Sequence, residues 1–148
     1  MWDYIALAFG AWFAGFFPLA EIYVAVPLAL ASGLDGVSTV FWAVLGNYTP
    51  VLLIVLGYSR LNRSERVRAW LNGLVSEKAK ARVNQFGVWF VLVITPWVGV
   101  WAMSMTAKAL GMKDGLYLLA SFVSVLVYAI VLVGLIQAGV GAVGGVPA

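Results

Sequence analysis

Four apolar stretches, at about 4–32, 37–58, 84–112 and 115–137, fill most of this chain, and the two longest each carry a proline near the middle. The second and fourth are roughly 22 residues long, the length of one helix across a ~30 Å hydrocarbon core. The first and third run to roughly 29 residues, about 43 Å as single helices, too long for that core without strong tilt. Pro18 divides the first and Pro96 the third. Proline lacks a backbone donor and its ring clashes with the preceding turn, so each long stretch breaks into halves of about 14 residues, about 21 Å each. Neither half spans alone. Of the 148 residues, 64% are hydrophobic and 10% charged, against about 45–50% and 25% in soluble domains, so the solvent for these stretches is lipid.

A broken stretch of this kind is either a kinked spanning helix or a re-entrant hairpin whose half-helices enter and leave on one side. Charge placement favours the hairpin. Seven of the nine Lys and Arg residues lie between positions 60 and 82, and the positive-inside rule makes that loop cytoplasmic. With both long stretches re-entrant, only 37–58 and 115–137 cross. Asp3 and Asp35 then lie outside, and Lys108 and Lys113 join the basic loop inside. Four crossings would put Lys113 outside. Within the loop, Leu61, Val67, Leu71, Leu74 and Val75 recur at roughly helical spacing, which predicts an interfacial helix with Trp70 at headgroup depth.

The two prolines are 78 positions apart, and the same offset pairs Gly33 with Gly111, Tyr23 with Trp101 and Ala29 with Ala107. With one crossing between the copies, the second is upside down, as in many secondary transporters. The expected fold is therefore an all-α integral membrane protein, an inverted repeat of a re-entrant helical hairpin plus one transmembrane helix. Residues 1–58 form the first repeat (hairpin 4–32, span 37–58) and 59–83 the basic linker. Residues 84–137 form the second repeat (hairpin 84–112, span 115–137), and 138–148 a frayed Gly-rich tail. The alternative is a four-span bundle with kinked helices. Met1-Trp2-Asp3 lacks the basic start of a cleaved signal peptide.

The chain has no histidine and no cysteine, which removes thiol chemistry, disulfides and most transition-metal sites. It also has no Gly-rich phosphate loop, no HExxH and no Ser-centred nucleophile motif, so neither an enzyme nor a cofactor is expected. Membrane anchoring accounts for the arginines, so no nucleic-acid partner is expected.

Of the six acids, only Glu21 lies deep in apolar sequence. A carboxylate there is costly, which makes it a functional candidate by default. Pro18 suits the first position of a second half-helix, which puts Glu21 in that helix's first turn. Desolvation opposes its charge while the helix dipole supports it, so Glu21 is a candidate proton-coupling or substrate group. Its bland alternative is a residue that caps free amides at the hairpin tip. Thr95 and Pro96 are the matching cap and start in the third stretch. The expected tip residues are Pro18, Thr95, Pro96 and Gly99. Candidate lining residues are Tyr23, Asn47, Trp97 and Trp101, the two tryptophans sharing one face at i, i+4.

Pro18-x-x-Glu21-x-x-x-Ala25-x-Pro27 followed by Gly33 resembles the first hairpin of the small multi-drug export protein family. Residues 84–101, NQFGVWFVLVITPWVGVW, resemble its second hairpin through Phe86-Gly87, Pro96, Gly99 and Trp101. Tyr23 stands where that family usually carries an arginine. In layout the family is similar to the DedA (SNARE-associated, VTT) superfamily of paired re-entrant hairpins. The resemblance implies an inner-membrane transport protein, proton-coupled, moving a lipophilic or lipid-carrier substrate. Expected partners are membrane lipids and a second copy of the chain in a homodimer. Two other readings fit the residues: a four-span small multidrug exporter for cationic compounds, and a non-transporting structural or assembly subunit of a membrane complex.

Overall fold

The computed structural model describes residues 2–61, 65, 66, 69 and 77–144, giving the backbone alone at 59–61, 77–85 and 140–144. Among the described residues there are six helices and no strand: α1 (Trp2–Phe16), α2 (Glu21–Ala31), α3 (Gly36–Leu61), α4 (Glu77–Val98), α5 (Val100–Ala109) and α6 (Asp114–Gly144). The expected interfacial helix with Trp70 lies outside the described residues.

Two helices are long and apolar enough to cross a membrane: Gly36–Tyr58, 23 residues, and Asp114–Gly139, 26 residues. At 1.5 Å per residue they measure about 34 and 39 Å. α6 continues to Gly144, past the expected end of the span at 137. The stretches 4–32 and 84–112 are each two helices. α1 and α2 have 15 and 11 residues, and α5 has 10, all below the ~20 needed to span.

The first break falls at the turn of residues 17–20, which contains Pro18, so α2 begins at Glu21 and not at the proline. The second break is at Gly99, not at Pro96, which lies inside α4. Pro96 has no N–H to return to the carbonyl of Leu92, one turn earlier. Ser124 Oγ on α6 donates to that carbonyl instead, at 2.9 Å, so α4 continues past its proline. Gly99, at φ 88° and ψ 150°, ends it in a conformation open essentially to glycine alone. Thr95 does not cap the next helix. Its Oγ1 donates back to the Val91 carbonyl at 2.5 Å, and α5 has no side-chain cap.

The chain divides into two compact units, residues 1–47 with 125–148, and residues 48–124. In the first, α1 and α2 bury a face of small residues, and Ala11, Ala29 and Leu34 form a core with Leu7 and Trp42 packed on it. Glycine brings α1 against α3. A Cβ on Gly46 would overlap the Trp12 backbone, and one on Gly15 would meet the Ala43 carbonyl at 2.6 Å. Small residues at such contacts are how membrane helices approach closely. Asp35 caps α3, accepting from the Ser38 N–H at 2.9 Å. The Ser38 hydrogen bonds hold its carboxyl below the usual aspartate value.

The second unit is held by hydroxyls. Ser104 Oγ lies 2.7 Å from Tyr117 OH and Tyr48 OH donates to the Leu118 carbonyl at 2.9 Å. Lys108 pairs with Asp114 and lies over the ring of Tyr58.

The offset of 78 recurs in the backbone hydrogen bonds. Ser32 N to Leu28 O, Gly33 N to Leu30 O and Leu34 N to Ala29 O close the end of α2. Leu110 N to Thr106 O, Gly111 N to Lys108 O and Met112 N to Ala107 O close the end of α5 in the same register. Gly33 and Gly111 both take positive φ, 95° and 76°, which terminates a helix at no Cβ cost.

Candidate functional site

Glu21 is the first residue of α2, and its N–H donates to the Phe17 carbonyl at 3.1 Å across the turn that holds Pro18. It is half-buried and sits at φ +46°, the one non-glycine residue with positive φ among the described residues. The left-handed region costs an L-residue about 1–2 kcal/mol. Its counterpart 78 positions on is Gly99, also at positive φ, whose N–H donates to Thr95 O at 2.9 Å. At the offset of 78, both positions therefore take a positive φ. One is glycine and the other a strained glutamate.

The N-cap of α2 is Ala20, which offers no side-chain acceptor to the free amides of the first turn. Glu21 thus places a carboxyl group at the positive end of α2. Tyr23, 43% exposed, lies within electrostatic range of both Glu21 and Tyr128. Pro18 is exposed in the turn.

Asn47 belongs to the same unit and is 1% exposed, with neither its side-chain oxygen nor its nitrogen hydrogen-bonded. The residues expected at the second tip, Thr95, Pro96 and Gly99, all belong to the second unit and are buried. Trp97 and Trp101 do not share a helix face: the break at Gly99 separates them, leaving Trp97 77% exposed and Trp101 half-buried. Lys108 is paired with Asp114.

Sequence reasoning passed over one polar group. Trp42 Nε1 donates to Tyr4 OH at 3.1 Å, and Tyr4 OH lies 3.3 Å from Ser38 Oγ. The start of α1 is thereby tied to the start of α3. Its local signal is Asp35-x-x-Ser38, a capping pattern at the entry to an apolar run. Among the described residues no group of three or more metal-ligating side chains occurs.

Two helices long and apolar enough to cross a membrane, with large hydrophobic side chains exposed along the helices, mark a membrane protein. The family model described as Putative small multi-drug export protein matches residues 21–131, three quarters of the chain, which belongs to that family. No curated protein and no solved structure matches it.

Proposed function

We propose that this chain is a proton-coupled secondary transporter of the inner membrane, carrying a lipophilic or lipid-carrier solute past Glu21. The observation that carries this reading is the positive φ of Glu21 at a position where the second copy has glycine. Strained backbone persists where the surroundings impose it, and such residues cluster at functional sites. A carboxylate at this position takes up a proton when lipid desolvates it, and releases it when water reaches the helix N-terminus or a solute takes the proton's place. Tyr23 lies within electrostatic range of it, and Tyr128 within range of Tyr23.

The Tyr4–Ser38 hydrogen bond supports a re-entrant first hairpin. It keeps the start of α1 and the start of α3 at one level, while α1 and α2 are each too short to cross. The recurring hydrogen bonds at offset 78 support a repeat, and one crossing between the copies makes it inverted, in the layout of the DedA superfamily. The basic loop of residues 60–82 then faces the cytoplasm, and the working form is a homodimer in contact with membrane lipids.

The test is ethidium flux in proteoliposomes under an imposed pH gradient. Glu21→Gln abolishes gradient-driven flux and leaves the yield of folded protein unchanged. Flux equal to that of the wild type overturns the reading. Single cysteines at Asp35 and Lys113 label from opposite sides in the two-hairpin topology and from one side in a four-span topology.

A further inference from the structure

The geometry points to Asn47 as a solute-contacting residue that selects for ligands with hydrogen-bonding groups, an inference that rests on the transport reading. Asn47 lies at the middle of the Gly36–Tyr58 span and is 99% buried, yet its amide oxygen and nitrogen both lack partners. A buried polar group without a partner is rare in folded proteins and costly, and the cost is higher where no water competes. Among the described residues, the other buried polar side chains hydrogen-bond within the chain: Thr39, Thr95, Ser104, Ser121 and Ser124 each donate to a backbone carbonyl. Asn47 stands apart from an otherwise satisfied set.

The backbone around it is fixed on one side and weakened on the other. α1 lies against it closely enough that a Cβ on Gly15 would be 3.0 Å from the Asn47 backbone nitrogen. α3 has Pro50 three residues on, which returns no N–H to the Gly46 carbonyl. Gly15 stands two residues before the turn that leads to Glu21, so the unpaired amide lies near the depth of the hairpin tip. An amide offers two donors and an acceptor and no charge. It discriminates by hydrogen bonding, where a carboxylate discriminates by charge. The ligand class is therefore an apolar solute carrying amine, amide or hydroxyl groups. A hydrocarbon cation with neither donor nor acceptor gains nothing from Asn47.

The experiment uses the full chain in lipid nanodiscs with two probe cations: ethidium, which carries two aromatic amines, and tetraphenylphosphonium, which carries no hydrogen-bonding group. Asn47→Val and Asn47→Ala are compared with the wild type by thermal unfolding and by binding of each probe. With no internal partner to lose, at least one variant unfolds about 3 °C or more above the wild type. Ethidium binds both variants roughly tenfold more weakly, and tetraphenylphosphonium is unaffected. A fall in Tm for both variants overturns the proposal, because the amide is then bonded inside the protein. Equal losses for both probes, no loss for either, or no ethidium binding to the wild type overturn it too. Loss of flux in Glu21→Gln with no probe discrimination at Asn47 leaves the transport reading standing and removes this inference alone.

Discussion

The two units of this molecule share a backbone register and differ in what holds them. In the first, α1 meets α3 through glycines, and the polar groups of greatest interest are a strained Glu21 and an unpaired Asn47. In the second, the corresponding glutamate position is Gly99, and among the described residues every buried hydroxyl has a partner. Backbones in the same register need not carry the same chemistry. The described part of the second unit is satisfied in its hydrogen bonds, and the first keeps unfavourable features.

The sharpest way to break this contrast is at the glycine contact. Gly46→Val forces a side chain into the Trp12 backbone, and the expected loss is about 3 kcal/mol or more, read as failure to recover folded protein. Normal yield would mean that the first unit does not depend on backbone contact. Next in size is Gly99→Ala, which places a Cβ at φ 88° and lowers stability by about 1–3 kcal/mol.

The Ser124–Leu92 hydrogen bond gives a two-sided test. Ser124→Ala leaves the Leu92 carbonyl unpaired and lowers stability by about 1–3 kcal/mol in denaturant unfolding. In a Pro96→Ala background the restored N–H serves that carbonyl, and the same serine change costs much less. An undiminished cost in the double variant would contradict the account of why α4 continues past its proline. Glu21→Gly has the opposite sign: it relieves the left-handed strain and raises stability by about 1 kcal/mol while ending transport.

The smallest effect is at Asp35. Its carboxyl is held below the ordinary value, so its contribution is present above the unfolded-state pKa and is lost as pH falls through the folded one. Asp35→Ala therefore lowers Tm slightly at neutral pH and not at all at pH 2 to 3.

Length and hydropathy alone place the two spans, because a run of more than 20 apolar residues has few alternatives. The offset of 78 is legible as well, since glycine marks both helix ends where a positive φ is needed. Sequence spacing did not reveal that α4 survives Pro96. That depends on Ser124, 28 positions away, supplying a donor that no local pattern predicts. The expected pairing of Trp97 with Trp101 fails for the same reason, because the true break lies between them. Glu21 stood out by its chemistry in apolar surroundings, but its strained conformation did not. Asn47 was legible as a polar group at membrane depth. Its lack of partners is a property of packing that only coordinates reveal.

The most direct test of the central claim, that Glu21 exchanges a proton for solute, is proton release on ligand binding. Purified wild-type protein in weakly buffered solution is mixed with ethidium in the presence of a pH indicator. Wild type releases close to one proton per bound ethidium, and Glu21→Gln binds without release. Equal release from both proteins would contradict the assignment of the coupling proton to Glu21.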